Sequence, residues 1–492
     1  RGNEMNNRMI VYMIGRMLGV EGLLLLVPAL VSFLYGEQSG IAFLLTAAIL
    51  LIIFLLAGRK KPKDTSIYGK EGLALVGIAW ILWSLFGALP FFISGSIPDY
   101  LDAFFETVSG FTTTGSTILT DIEALPQGML FWRALTHWIG GMGVLVFVMV
   151  LLNLDDDGSM YLMRAEVPGP EADKLVPKAR STARILYLMY LILTMAEVIF
   201  LLFGGMNLYD ALIHSFSTAG TGGFSNRNAS VSYYDSAYID GVITVFMILF
   251  GINFNIYFAI YIKNWKSALT IPLLDNSRRQ ARTYLGVIAA AILMITVNIY
   301  HIYGNVASAF RYSSFQVAAV ITTTGFYTAD FNLWPEFSKT ILLVTMIIGA
   351  CAGSTGGGMK VSRILILCKS VKQEIKRILH PKAVTVVTVN GQKVGRETLH
   401  GVYVYSICYA LILVSSVLIV SIDNYDFATS VSAVLTTLNN VGPGISQVGP
   451  VENFFEFSWL SKLVFCADML LGRLEIFPCL VLLAPELWKR KF

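Results

Sequence analysis

The sequence predicts an all-α polytopic membrane protein. Two N-terminal transmembrane helices precede four helix–re-entrant pore helix–helix repeats arranged around one central pore, for ten transmembrane helices. Three observations predict this. The 492-residue chain is 55% hydrophobic and 14% charged, with mean hydropathy +0.66; a soluble domain carries about 25% charged residues. Apolar runs near the roughly 20 residues needed to cross a bilayer recur from end to end. Four glycine-centred stretches, marked by Gly115, Gly222, Gly325 and Gly442, recur at steps of 107, 103 and 117 residues, each between apolar segments. Repetition of this kind decides architecture before any single residue does. The composition excludes a soluble enzyme.

The first unit, 1–70, is a hairpin of two spans, Met9 to Leu34 and Gly40 to Ala57, with no pore-like loop. The run Val11 to Leu34 is too long for a leader core and leads directly into another span, so no cleavable leader is expected. The first repeat, 71–180, has helices from Gly72 to Ser94 and Met129 to Asn153, with a short amphipathic helix Leu101 to Phe111 between them. The second, 181–282, has Thr182 to Phe203, the short Tyr209 to Thr218, and Ile239 to Ile262. The third, 283–400, has Tyr284 to Tyr303, the short Ala309 to Ile321, and an apolar stretch from Ser338. The fourth, 401–492, has Val402 to Ile422, the short Phe427 to Leu438, and Trp459 to Leu483. The short segments cannot cross a bilayer and must re-enter. Non-helical backbone at membrane depth is tolerated where it lines a water path or is buried in protein. The loops after the short helices are therefore expected to line a pore.

The third repeat differs. Ser338 to Ile378 stays largely apolar for 41 residues, and one helix of that length would measure roughly 60 Å, about twice the hydrocarbon thickness. Gly353, Ser354, Thr355, Gly356, Gly357 and Gly358 interrupt it, and three consecutive glycines disfavour helix. A break inside the membrane is expected, with this strand and Lys360 as a gate. Farther on, β-branched residues of Ala383 to Val394 flank Asn390-Gly391, which predicts a small cytoplasmic β-ribbon.

Lys and Arg cluster at Arg59–Lys70, Arg164–Arg184, Lys263–Arg282, Lys369–Arg396 and Lys489–Lys491. The positive-inside rule places these clusters in the cytoplasm, and an even number of spans places both termini there. Each cluster abuts a span, which argues against nucleic acid as a partner. The five cysteines form no CxxC pair and read as small core residues. The five histidines lack metal-ligand spacing, and no phosphate-cradling motif occurs. No catalytic residue, no nucleotide site and no ATP hydrolysis are expected on this chain.

The glycine loops suit cation coordination. Thr113, Thr114 and Gly115, then Gly220, Thr221 and Gly222, then Thr323, Thr324 and Gly325, then Asn440, Val441 and Gly442 are the candidate K+-binding residues. Glycine reaches backbone conformations that let successive carbonyls point one way. A ring of such neutral oxygens replaces the water shell of K+ and still lets the ion leave. Threonine hydroxyls would add an oxygen layer. A re-entrant helix directed inward turns its partly negative C-terminal end toward the cation. Lys360 and Arg473 lie at membrane depth, where charges mark function by default. Arg473 is the candidate to bind carbonyls of the gate strand; a local pair with Asp468 or Glu475 is its alternative, and snorkelling is that of Lys360. Glu21, Glu197 and Asn253 are expected to make structural hydrogen bonds.

The motifs TTTGS (112–116), TGGFS (221–225), TTTGF (322–326) and NNVGP (439–443), with GSTGGGMKVSR (353–363) and LLGRLEIFP (470–478), resemble the Trk/Ktr/HKT superfamily of potassium transporters. The two extra N-terminal spans are similar to the bacterial TrkH/TrkG branch rather than the eight-span KtrB branch. The resemblance implies a homodimer in the bacterial cytoplasmic membrane with one pore per protomer. It implies a gate loop after the third filter stretch, contacted by the arginine at the position of Arg473. It also implies a cytosolic TrkA-like nucleotide-binding subunit docked below. With glycine at all four marked positions, the resemblance implies a preference for potassium over sodium. The fourth loop, with Asn439-Asn440-Val441, departs from the Thr-rich pattern and makes the ring asymmetric. Passive uptake driven by membrane potential is the first reading, since an interior-negative potential supplies about 2.3 kcal/mol per charge per 100 mV. The alternative is a Na+- or H+-coupled symporter.

Overall fold

A computed structural model of the chain describes residues 6–64, 69–143, 179–261, 272–382, 386–389 and 392–488. Within them the protein is almost entirely helical. Helices α1 (Asn7–Leu24) and α2 (Leu26–Leu34) run on from one another, and α3 (Gly40–Ile53) returns beside them. Backbones meet in this hairpin: a Cβ on Gly15 would stand 2.6 Å from the Gly58 nitrogen, and one on Gly22 would stand 3.1 Å from the Leu50 Cβ. Small residues permit this approach where lipid gives no hydrophobic drive between helices.

The repeats follow in order. The first comprises α4 (Gly69–Ile93), α5 (Tyr100–Phe111) and α6 (Gln127–Gly141). The second comprises α7 (Ala179–Phe203), α8 (Leu208–Gly220), α9 (Ala237–Phe250) and α10 (Phe254–Tyr261). The third comprises α11 (Pro272–Tyr303), α12 (Val306–Ile321), α13 (Glu336–Ile348) and α14 (Val361–Leu379). The fourth comprises α15 (Arg396–Val420), α16 (Phe427–Leu438), α17 (Trp459–Arg473) and α18 (Phe477–Leu483), and a last turn α19 (Pro485–Trp488) ends the described chain.

The short helices α5, α8, α12 and α16 have 12, 13, 16 and 12 residues. At 1.5 Å per residue they reach about 18–24 Å, less than the roughly 30 Å hydrocarbon core. Each starts at a capping side chain. Asp99 accepts from Leu101 N at 2.7 Å, Asn207 from Asp210 N at 2.8 Å, Asn305 from Ala307 N at 2.9 Å and Asp426 from Thr429 N at 3.1 Å. These side chains satisfy amides the first turn leaves unpaired. Hydrogen bonds from Thr429 also hold the exposed Asp426 carboxyl below its ordinary titration range.

Six of the described helical runs are long and apolar enough to cross a bilayer: Asn7–Leu34, Gly40–Gly58, Gly69–Ile93, Ala183–Phe203, Arg279–Tyr303 and Arg396–Asp423. The second helices of the second, third and fourth repeats are shorter than the sequence suggests, because they break. The third was expected to break at its glycines. The second also breaks, at Asn253, whose side chain accepts from Asn255 N at 2.8 Å and so starts α10. The fourth breaks at Glu475 and Ile476, with φ of 55° and 70°, ahead of Pro478. In the first, α6 ends at Gly141, Met142 and Gly143 are not helical, and the rest of the expected helix, 144–153, lies outside the described residues. The ribbon forms as expected: Thr388–Val389 pairs antiparallel with Gln392–Lys393, Thr388 opposite Lys393. Its turn residues Asn390 and Gly391 lie outside the described residues.

The largest core cluster sits behind the first loop. Phe111, at the end of α5, meets Trp83 at 5.5 Å and Trp132 at 5.9 Å between ring centroids, both edge to face, a favoured aromatic geometry. Glycines let second helices touch the ends of short ones: a Cβ on Gly140 would collide with Phe111 O, and one on Gly472 with Leu438 O.

Candidate ion-conduction site

The loops after the four short helices share one backbone course. Thr113, Thr221, Thr323 and Asn440 are left-handed, with φ of 55°, 57°, 60° and 55°. Two residues later stand Gly115, Gly223, Gly325 and Gly442, with φ of 82°, 79°, 78° and 99°. Between them Thr114, Gly222, Thr324 and Val441 each donate a backbone hydrogen bond of 2.8–2.9 Å to the carbonyl five residues back. The structural register therefore moves the second loop by one residue. Gly223 is the counterpart of Gly115; Gly222, chosen from the sequence, corresponds to Thr114. Adjacent glycines had left these two registers indistinguishable.

In space the loops close a ring in chain order. A Cβ on Gly115 would collide with Gly222 O, one on Gly223 with Thr324 O, and one on Gly325 with Val441 O; one on Gly442 would stand 2.8 Å from Thr114 O. Each glycine thus lies against the carbonyl of the next loop, and the fourth returns to the first. Side chains close the last seam: Asn440 Nδ2 donates to Thr114 Oγ1 at 3.0 Å and Ser116 Oγ to Gly442 O at 3.1 Å. The hydroxyls of Thr112 and Thr114 pair at 2.8 Å and those of Thr322 and Thr324 at 2.7 Å. The second and fourth loops lack such pairs, so the ring is alike across one diagonal only. Gly220 is the last residue of α8, and its carbonyl accepts from Thr221 Oγ1 at 2.5 Å.

A cavity of about 140 Å³ touches the ring where the chain leaves the loops, its lining including Gly115, Gly223, Gly325 and Gly442. On the entry side lies the segment between α13 and α14. Gly357 N donates to Thr323 Oγ1 at 2.6 Å and Gly358 N to Asn439 O at 3.1 Å. A Cβ on Gly356 would stand 2.9 Å from Thr322 O. Ser354 Oγ folds back on Cys351 O at 2.6 Å, and Gly353 O accepts from Phe254 N at 2.9 Å. The segment is thus held against the third and fourth loops and against the broken second helix of repeat two. By contrast, the buried Thr113 hydroxyl has no hydrogen-bond partner among the described residues.

Arg473 ends α17 and spans the space beneath the ring. Its guanidinium donates to Thr355 O at 2.7 Å, to Gly141 O at 2.7 Å and to Gly140 O. Neither local alternative describes it: Glu475 pairs with Arg363, and Asp468 accepts from Ser416 Oγ at 2.8 Å. Lys360 does not snorkel. It is buried, and its ammonium folds back onto Gly356 O within the glycine segment. Asn253 makes the expected structural bond, whereas Glu21 is fully buried with both oxygens unpartnered among the described residues.

Arg133 and Glu106 escape the sequence reading. Both are buried and paired at 2.7 Å beside the first two loops. Their signal was an acidic residue in the middle of one short apolar segment, which also carries Asp102 near its start, and an arginine in the next.

The chain matches the family described as TrkH cation transport protein over residues 41–490. It is 36% identical over 491 residues to the Trk system potassium uptake protein TrkH of Salmonella typhimurium, covering 99% of this chain and 100% of that protein. It is 32% identical over 495 residues to TrkG of Escherichia coli, with the same coverage. Its fold is similar to the crystal structure of the potassium transporter TrkH from Vibrio parahaemolyticus, with a TM-score of 0.87 and 33% identity over 99% of this chain and 100% of that one. The chain therefore belongs to the TrkH/TrkG family of multi-pass membrane proteins, which are transporters and not enzymes.

Proposed function

We propose that this protein takes up potassium across the bacterial cytoplasmic membrane through a channel-like pore whose filter is the ring of four loops. The observation that carries the reading is the cyclic contact of Gly115, Gly223, Gly325 and Gly442 with the carbonyls of the next loop. Four backbone strands so close, each left-handed at its first position, bring carbonyls from four sides to one axis, which is the chemistry that substitutes for the hydration shell of K+. The filter comprises Thr113–Gly115, Gly220–Gly223, Thr323–Gly325 and Asn440–Gly442. The short helices end at these loops and direct their partial negative charge there.

Gly353–Gly358, with Lys360 and Arg473, forms the gate. Thr323 Oγ1 is already bonded to the gate strand, while its counterpart Thr113 Oγ1 is unpartnered; a strand occupying one wall obstructs the path. Ten spans in a hairpin plus four repeats, both termini cytoplasmic, fit the basic clusters and the repeated caps and loops. A homodimer and a cytosolic TrkA-like nucleotide-binding subunit are the partners the family implies. The alternative is cation uptake coupled to Na+ or H+, and the unpartnered Glu21 is the observation that favours it.

The deciding experiment is flux into proteoliposomes holding only the purified chain, with K+, Rb+, Na+ and Li+ compared. Uptake of K+ and Rb+ that vanishes when the electrical force is clamped to zero establishes the passive pore. Uptake that needs an added Na+ or H+ gradient replaces it with the symporter.

A further inference from the structure

Each seam of the ring is also fastened away from its axis. Lys462 and Asp102, paired at 2.6 Å, join α17 to α5, and Arg311 and Asp240, at 2.7 Å, join α12 to α9. Between the third and fourth repeats Asn332 exchanges two hydrogen bonds with Ser446, at 3.0 and 2.9 Å. Between the first and second repeats Asn228 bonds Ile122 N and Asp121 at 2.7 and 2.8 Å in the same way, and this seam has a buried brace as well. Glu106 on α5 and Arg133 on α6 form a pair with side chains 0% and 2% exposed, and each also bonds a loop.

Glu106 takes both sides of the first loop's exit. Thr117 Oγ1 lies 3.0 Å from each of its oxygens, and Ile118 N donates to it at 3.1 Å. Arg133 Nε donates to its Oε1 at 2.8 Å. The other end of Arg133 holds the second loop: Nη1 donates to Ser225 O at 3.2 Å, and the guanidinium lies 3.9 Å over the Phe224 ring. Phe224 in turn stacks on His137 at 4.1 Å, and His137 Nδ1 bonds Gly110 O at 2.7 Å. The pair is thus continuous with Thr117 and Ile118, just past Gly115, and with Phe224 and Ser225, just past Gly223. Those loops meet at the Gly115–Gly222 contact.

We propose that Glu106 and Arg133 are positioning residues for ion selection, setting the separation of the first and second loops and so the width of the ring at that seam. The inference rests on the filter reading above. A buried ion pair bonded on one side to the first loop and on the other to the second is stiff, because moving either loop strips partners from a charge in a low-dielectric site. With the brace removed, the seam relaxes, and the ring accommodates the smaller Na+ at less cost. Deleting one charge alone leaves the other buried and unpaired, which is destabilising for reasons unrelated to selection. The informative variant removes both.

The test compares wild type, Glu106→Gln/Arg133→Met, Thr117→Val and Gly115→Ser as full-length chains in proteoliposomes, reading thermal stability and the Na+/K+ permeability ratio. The double variant is expected to insert and to melt near wild type, with the ratio raised at least about fivefold, the factor that loss of roughly one hydrogen bond allows. A wild-type ratio in the folded double variant, with Gly115→Ser shifted, overturns the inference and leaves the filter intact. An unchanged ratio in Gly115→Ser overturns the filter reading, and this inference with it. Where the double variant fails to insert, Thr117→Val decides, since it keeps both charges and removes the two Thr117 contacts with Glu106, leaving the first loop only the bond from Ile118 N. A raised ratio there supports the brace, and an unchanged one overturns it.

Discussion

Arg473 donates to the carbonyl oxygen of Thr355 at 2.7 Å, joining the break in the last repeat's second helix to the glycine segment of the third. The same guanidinium reaches Gly141 at the end of α6. One cation therefore links three repeats beneath the ring, and it does so through carbonyl dipoles.

Arg473→Ala is expected to raise Rb+ uptake about tenfold, because a charge-assisted hydrogen bond contributes roughly 1.5–3 kcal/mol to the arrangement it holds. Lysine at this position keeps the charge and loses the fork, so Arg473→Lys should give a smaller rise. Uptake at or below wild type in a normally inserted variant would refute a closing role. A variant that no longer folds points to a structural one.

Deleting Gly356–Gly358 should also raise flux, since the bonds from Gly357 to Thr323 and from Gly358 to Asn439 go with it. Lys360→Met is the milder counterpart, removing only the ammonium that holds Gly356 O. Stopped-flow Rb+ uptake with protein content matched by immunoblot distinguishes a raised flux from raised insertion.

The one-residue register of the second loop is open to test. Gly223 is left-handed and faces Thr324 O, whereas Gly222 has no positive φ and a Cβ there would press on the His137 ring. Gly222→Ala should therefore be partly rescued by His137→Ala, and Gly223→Ala should not. Equal rescue of both, measured as K+ uptake, would contradict the register.

Helix caps supply a prediction independent of conduction. Asp99→Ala and Asp426→Ala should each cost about 1 kcal/mol of stability, and the asparagine variants much less. The folded Asp426 titrates below its unfolded value. Its extra contribution is thus full above the unfolded value and is lost as pH falls through the lower folded one. Asp426→Asn should flatten that acid-side loss in a pH series of thermal melts.

The short helices were legible because their signals are local: eleven or so apolar-patterned residues, then Thr and Gly. The glycine run at 356–358 announced its break for the same reason. The breaks at Asn253 and at Glu475–Ile476 were not announced, because single polar residues in apolar helices more often stay helical. The partners of Arg473 were only half legible. Thr355 belongs to the segment expected to meet it, but the contact with Gly140 and Gly141 joins residues more than 300 positions apart. Glu106 and Arg133 were invisible as a pair because nothing in their spacing shows that α5 and α6 face each other there.

Asn440 reaches across the last seam to Thr114 Oγ1, and no other seam carries an amide at that place. A pore assembled from four copies of one subunit has no such freedom, because any side chain written into one wall is written into all. Here every wall has its own codon. In the filter proposed above, a single mutation alters a quarter of the circumference, so ion preference can drift in small steps that a homotetramer must take fourfold at once.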